Sequence, residues 1–493
     1  MTTTSHLPPD VAVDLAAGGS LPGAWTRAWA ADPGHTTLST MDGVRISAGE
    51  LAERTGAVAE RYAAAGLGPG DRLLLSAGTG VEMVLAYIGA LRAGLTVVPA
   101  NPAYSSAELS TLAGAAKPAL AVLDDPSRLD SPQCPVVTPD LAGLPIGGGG
   151  GSVLDQAGLD DTALIIYTSG TTGAPKGVPL SHGNLLASAH AVRLAWRWTP
   201  DDSLALCLPL FHVHGLGVGL HGTLVAGAQA VLMPRFEPAA IASSGASLFF
   251  GVPTMYHRLA ESSSLSALSG LRLAVSGSAP LPAELHAAIR AGSGQVVLER
   301  YGMTETVMLV SNPYDGERRP GTVGFPLPGV SLRLAPREGG TAEIEVRGPN
   351  VIRGYLDNPA ATAEAYTADG WFRTGDLGTL DEDGYLTISG RAKELIITGG
   401  YNVYPREVEE LLRTHPDIVD AAIVGVPSPQ WGETVAAFVV VSSPAVLSAL
   451  DSWCAERLAP YKRPRAWQVV DAIPRNALGK ILRHELVPAT PPA

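Results

Sequence analysis

The sequence predicts an α/β chain in which a large layered domain precedes a small α+β domain, and three changes of pattern along it say so. Up to about residue 310, short apolar runs alternate with amphipathic stretches, as in parallel strands covered by helices. After residue 320 the period becomes two, as in Ala342-Glu343-Ile344-Glu345-Val346-Arg347. Past 391–393 a fresh helix-and-strand unit begins, of roughly a hundred residues, an ordinary domain size. A chain of 493 residues exceeds one simple core, so the expected domains are 1–391 and 392–493.

In order, residues 49–66 read as a helix, Arg72-Leu73-Leu74-Leu75-Ser76 as a buried strand, 82–94 as a helix and Leu95-Thr96-Val97-Val98-Pro99 as the next strand. The run Gly147–Gly151 is a loop and a candidate subdomain junction, and Ala163-Leu164-Ile165-Ile166 reads as a strand. Residues 203–234 carry no Asp, Glu, Lys or Arg, yet Pro209, three histidines and five glycines interrupt them. They read as buried strands and helix beside a ligand pocket rather than as a membrane span. Asp383-Gly384 turns a hairpin between two strands. An amphipathic helix opens at Pro405, followed by strands at 419–426 and 434–441, a helix at 445–458 and a strand at 466–470. No internal repeat or long linker is visible.

The composition, 46% hydrophobic and 16% charged, is that of a soluble globular protein. A formal net charge of −13 argues against nucleic acid or an anionic membrane as a bulk partner. Three scattered cysteines, Cys134, Cys207 and Cys454, form neither a disulfide framework nor a metal-ligand spacing. With an N-terminus that lacks a basic segment and an apolar one, they lead to the expectation of a cytoplasmic protein.

The most informative stretch is Tyr167-Thr168-Ser169-Gly170-Thr171-Thr172-Gly173-Ala174-Pro175-Lys176-Gly177. Hydroxyls and backbone N–H groups suit a polyphosphate, glycines allow close approach, and the lysine adds a point charge. A Walker A loop needs Gly-Lys-Ser/Thr opening a helix, which this lacks. Only five of the 34 basic residues are lysines (117, 176, 393, 462, 480), and three sit in motifs: Lys176, Lys393 in Gly390–Glu394, and Lys480 in Asn476–Ile481. Where a compact, mobile charge is required, arginine does not substitute. A second constellation, Glu299-Arg300-Tyr301-Gly302-Met303-Thr304-Glu305-Thr306, offers an aromatic for a base, a hydroxyl for a phosphate and a carboxylate for magnesium. In Thr374-Gly375-Asp376-Leu377, the aspartate suits a ribose diol or a turn. His212-x-His214 has no third ligand at metal spacing, so it reads as pocket lining. Gly217–Gly222 matches Gly-x-Gly-x-x-Gly but reads as glycine-mediated packing.

Taken with Pro209-Leu210-Phe211-His212, Gly277-Ser278-Ala279-Pro280-Leu281, Gly390–Lys393, Gly399-Gly400-Tyr401-Asn402-Val403 and Gly479-Lys480, these motifs run in family order over nearly the whole chain. The chain resembles the acyl-adenylate-forming superfamily of acyl-CoA synthetases, luciferases and peptide-synthetase adenylation domains. The resemblance implies a multi-subdomain adenylation domain with a small β-barrel-like part, a mobile C-terminal domain, and the use of ATP, Mg²⁺ and coenzyme A. It assigns Thr168, Ser169, Gly170, Thr171, Thr172, Gly173 and Lys176 to the β- and γ-phosphates, and Thr168 and Glu305 to Mg²⁺. Gly277, Ser278, Ala279 and Tyr301 would line the adenine, with Glu299, Arg300, Gly302, Met303 and Thr304 in the same nucleotide-binding set. Asp376 and Arg391 would fix the ribose. Lys480 would bridge the attacking carboxylate and the α-phosphate, with Glu305, Thr304 and Lys176 as its catalytic companions. Lys393 would be the hinge, and Gly399 and Gly400 would line the pantetheine channel.

The acid should sit near His212, Val213, Arg258, Arg300 and Met303. Two arginines suit a diacid, because a guanidinium pairs with a carboxylate and is costly to bury alone. The stretches around His212, Arg258 and Tyr301 are similar to the malonyl-CoA synthetase branch, which implies malonate, with methylmalonate tolerated and Arg258 on the distal carboxylate. The alternatives are a CoA ligase for a medium-chain fatty acid, an aryl acid or succinate, an enzyme loading a carrier protein, and a non-catalytic nucleotide sensor. No obligatory protein partner is implied.

Overall fold

The computed structural model describes residues 6–7, 13–146, 154–168, 176–337, 342–398, 401–428, 431–443, 447–477 and 479–486. Two large sheets carry the first part of the chain. One has six strands in the order 136–137, 120–123, 72–76, 96–99, 162–168 and 176–181; all neighbours are parallel except the last pair. The other has nine strands in the order 325–326, 310–311, 298–301, 273–276, 248–251, 203–206, 229–232, 36–40 and 45–47, with six parallel strands at its centre. Between the sheets lie helices such as Ala48–Ala64 and Val81–Arg92. The first begins with a capping box, in which Ser47 and Glu50 satisfy each other's orphan N–H groups. The second has ten buried residues in a row, so its apolar run reflects burial on all faces. Leu75, Leu85, Leu164, Leu204 and Phe250, drawn from both sheets and the second of these helices, share one core with Leu185 of helix His182–Ala195.

The charge-free stretch 203–234 becomes two strands flanking a π-helical turn at His214–Leu220 and a helix at His221–Ala226. Its glycines are packing sites. A Cβ at Gly219 would lie 2.7 Å from Leu206, and one at Gly222 would lie 2.5 Å from Trp198. No Gly-x-Gly-x-x-Gly nucleotide loop exists there.

The β-rich stretch is an antiparallel meander of four strands, 331–336, 342–347, 372–380 and 386–391, whose end strands do not pair with each other. Chain direction then passes to a second sheet at Ile396: strands 401–403, 396–398, 432–441 and 418–428, with 466–469 added parallel to 432–441. Helices Pro405–Leu412 and Leu447–Ala455 cover it around Val408, Leu412, Ile423, Val439 and Leu450. Among the described residues no helix is long and apolar enough to cross a membrane.

Candidate active site

Parallel strands 248–251, 273–276 and 298–301 end side by side, and open α/β sheets bind ligands beyond such carboxyl ends. Tyr301 closes the last of these strands, and its hydroxyl donates to Asp376 Oδ2. Asp376 Oδ1 lies 3.0 Å from Arg391 Nε, the two residues being direct partners across strands 372–380 and 386–391. Burial raises the Asp376 pKa above the usual carboxylate range, while Arg391 and the Tyr301 hydroxyl oppose that shift. Each carboxylate oxygen keeps a free lone pair, so a vicinal diol fits as an additional donor.

At the phosphate end, Thr168 and Lys176 are register partners that close the Gly/Thr loop, whose residues Ser169, Gly170, Thr171, Thr172 and Gly173 lie outside the described residues. Lys176 Nζ sits 5.3 Å over the Tyr355 ring, and the Tyr355 hydroxyl donates to Glu305 Oε1 at 3.0 Å. One tyrosine therefore draws the lysine and the carboxylate together. The loop carrying Thr304 and Glu305 is braced from behind: Asn350 Nδ2 donates to the carbonyls of Thr306 and Met308, and Ile352 N–H to that of Glu305. A Cβ at Gly302 would lie 2.1 Å from the Val307 carbonyl oxygen, so this turn requires glycine. The Glu305 carboxylate and the Thr168 hydroxyl are both hard oxygen donors, the chemistry that suits a dication which also binds phosphate oxygens. Tyr355 and Asn350 escaped the sequence reading because neither stands in a motif with the residues it supports.

Beside Tyr301, the Arg300 side chain turns into the protein at 6% exposure, and its Nε and Nη2 have no hydrogen-bond partner. Burial pulls its pKa down to about 9, the electrostatic signature of an uncompensated cation. It packs on Gly277, where a Cβ would stand 2.3 Å from the guanidinium carbon. Next to Gly277, Ser278 adopts φ +68°, a region that costs a non-glycine residue energy, and its Oγ lies 3.1 Å from His214 Nδ1. Burial lowers the His212 pKa to about 4 and that of His214 well below its ordinary value, Arg300 adding to the latter, so both rings are neutral. Val213 and Met303 pack partly buried against the main core. Substituting Gly277→Ala is expected to displace Arg300, lower stability by about 1–3 kcal/mol as overpacking does, and raise KM for the acid more than KM for ATP. Steady-state kinetics on each substrate checks this.

Arg258 does not join this group. It lies on helix Pro253–Ala260 with its side chain 54% exposed, 3.7 Å from Glu237 and stacked on Phe236. The buried face of that helix belongs to Tyr256 and Leu259, and helical spacing turns residue 258 away from it. The structure thus places Arg258, the residue expected on the distal carboxylate, apart from Arg300 and His214.

Lys480 is presented by a tight hairpin. Its N–H donates to Asn476 Oδ1 and its carbonyl accepts from Asn476 N–H, both at 2.9 Å, while Gly479 takes φ +77°. A Cβ on Gly479 would sit 3.3 Å from Thr254, so the hairpin lies against helix 253–260. Although much of the Lys480 side chain reaches solvent, partial desolvation of the ammonium by the surrounding protein, with Arg391 nearby, lowers its pKa, and Glu394 and Asp376 oppose that shift. Lys480 therefore lies within electrostatic reach of the Asp376–Arg391 pair. Lys393 is exposed between the two sheets, and Glu299 and Ala279 flank the Arg300–Gly277 contact; Gly399 and Gly400 lie outside the described residues.

Comparison with known proteins agrees with this geometry. Residues 25–356 match the AMP-binding enzyme family and residues 407–480 its C-terminal domain. A sulfoacetate–CoA ligase of Cupriavidus necator is 38% identical over 91% of this chain and 94% of its own length. A malonate–CoA ligase of Arabidopsis thaliana is 38% identical, but over 66% of this chain and 60% of its own length. ATP-bound MatB from Rhodopseudomonas palustris superposes with a TM-score of 0.87 at 39% identity, covering 94% of this chain and 98% of that one. The chain belongs to the AMP-binding enzyme family, as an AMP-forming acyl-CoA ligase that works with ATP, Mg²⁺ and coenzyme A.

Proposed function

We propose that the acid is malonate, with methylmalonate tolerated, and that Arg300 holds its distal carboxylate. What carries this reading is the buried Arg300 guanidinium with two unpartnered nitrogens. An apolar or aryl tail would leave that cation uncompensated, whereas a second carboxylate neutralises it with two parallel hydrogen bonds. Ser278 Oγ and neutral His214 border the same spot and suit a small polar head. A sulfonate satisfies the same guanidinium, and the sulfoacetate ligase relative makes sulfoacetate the second reading.

In the first half-reaction one carboxylate oxygen attacks the α-phosphorus, the bond to pyrophosphate breaks, and the acyl-adenylate forms. A carboxylate is already nucleophilic, so no general base is needed. Lys480 stabilises charge growing between carboxylate and α-phosphate, Lys176 holds the departing phosphates, and Asp376 with Arg391 fixes the ribose. Glu305 and Thr168 would hold Mg²⁺, which would supply charge neutralisation for the departing pyrophosphate. In the second half-reaction the CoA sulfur attacks the acyl carbon and AMP leaves. For this the C-terminal domain, 392–493, turns about Lys393, so that the Gly399-Gly400 loop takes the place of Lys480 along the pantetheine channel.

The test is an acid panel of malonate, methylmalonate, sulfoacetate, succinate, acetate, octanoate and coumarate with ATP, Mg²⁺ and CoA, reading pyrophosphate and thioester mass together. Malonyl-CoA as the preferred product is expected, with Arg258→Ala within threefold of wild type. Preference for octanoate or coumarate would sink the anionic-pocket reading, and preference for sulfoacetate would replace malonate within it. Pyrophosphate without thioester would direct the search to a carrier-protein acceptor.

A further inference from the structure

Arg406 stands in an unexpected place. It occupies the first turn of helix Pro405–Leu412, where a cation opposes the helix dipole. Its pairing with Glu410, Nε to Oε1 at 2.7 Å, runs in the less favourable arginine-before-glutamate order. Helix stability therefore does not explain this residue. Its second contact does: Nη1 donates to the Ile388 carbonyl at 2.6 Å, across the junction between the C-terminal unit and the four-stranded meander. The side chain is only 18% exposed.

The acceptor is well chosen. Ile388 lies three residues before Arg391 on strand Leu386–Arg391, and faces Gly378 on the strand that carries Asp376. Arg406 thus holds the strand that forms the ribose end of the site. It also acts, with Glu410, on Glu299, whose carboxylate accepts N–H bonds from Leu281 at 3.3 Å and Gly321 at 2.8 Å. Glu299 directly precedes Arg300 and Tyr301. One guanidinium from the C-terminal unit therefore bonds to the strand that carries Arg391 and lies within electrostatic reach of Glu299 on the strand that carries Arg300, in the arrangement where Lys480 is in electrostatic reach of Asp376 and Arg391.

We propose that Arg406 is a positioning residue that latches the C-terminal unit in the acid-activating arrangement, so that it supports acyl-adenylate formation and not thioester formation. The proposal rests on the two-arrangement reading given above. A hydrogen bond to a main-chain carbonyl suits a reversible latch, because its release leaves no charge stranded on the meander and keeps the guanidinium paired with Glu410.

The experiment compares wild type, Arg406→Ala and Arg406→Lys in two assays: acid-dependent ATP–pyrophosphate exchange, and rapid-quench thioester formation when CoA is added to enzyme preloaded with acyl-adenylate. The acid is whichever drives wild-type exchange fastest, so a wrong malonate assignment changes the reagent and not the comparison. Arg406→Ala is expected to slow exchange at least tenfold in kcat, with KM for ATP and acid within threefold. Its thioester rate from preloaded enzyme should equal or exceed that of wild type. Arg406→Lys, which keeps a donor for Ile388, should recover much of the exchange. Equal slowing of both assays, as a merely structural role would give, overturns the proposal. So does unchanged exchange, or a loss confined to thioester formation.

Discussion

Lys480→Ala will slow acyl-adenylate formation by roughly 10²–10³-fold, the usual effect of removing one preorganised donor to developing charge. It will leave thioester formation from preloaded acyl-adenylate within threefold of wild type. The geometry supports this split. The Lys480 ammonium lies within electrostatic reach of Asp376 and Arg391 on a hairpin built by Asn476 and Gly479, on a unit separate from the sheets that hold the acid pocket. Much of the side chain is solvent-accessible, so truncation should change stability by no more than about 0.5 kcal/mol. Lys480→Arg should not rescue, because a planar fork cannot replace a compact ammonium between two oxyanions. ATP–pyrophosphate exchange and rapid-quench thioester assays check this together. Equal losses in both, or unimpaired exchange, would remove Lys480 from the first half-reaction.

Much of this arrangement was legible in the sequence, for identifiable reasons. Period and length placed the strands at 72–76 and 466–469 and the helix from Pro405, because burial of one face dictates those patterns. The motif residues that converge, Thr168 with Lys176 and Tyr301 with Asp376 and Arg391, are brought together by strand register and by strand ends. What periodicity could not show was which of two arginines turns inward. Arg258 and Arg300 are alike in type and both neighbour a motif, yet one lies on the exposed side of a short helix and the other at the end of a buried strand. The space Arg300 occupies depends on Gly277, a residue on another strand. The π-helical turn at His214–Leu220 was equally hidden, since its glycines Gly215 and Gly219 answer to Pro209 and Leu206. Tyr355 and Asn350 act on Glu305 and its loop from about fifty residues away, a span over which no local rule operates.

Arg300→Met should separate stability from function. In wild type without acid, the guanidinium is buried with unsatisfied nitrogens, and replacing an uncompensated buried charge by an apolar side chain of similar volume is expected to stabilise by about 1–3 kcal/mol. The urea midpoint of the free enzyme should therefore rise. Malonate activation should fall, because the distal carboxylate would be buried opposite a thioether. Loss of one partner of a buried pair is worth about 3–5 kcal/mol, so kcat/KM for malonate should drop by roughly 10²–10⁴-fold. Butyrate, which brings a methyl-terminated chain to the same spot, should gain on malonate by at least as much. The Tyr301–Asp376–Arg391 cluster and the Lys176–Tyr355–Glu305 contact are separate from the substituted group, so KM for ATP should stay within threefold. Malonate should raise the thermal midpoint of wild type and leave that of Arg300→Met unmoved. Unchanged malonate kinetics in this variant would show that the distal anion is held elsewhere. A lowered urea midpoint would show that the guanidinium already has a partner in the free enzyme.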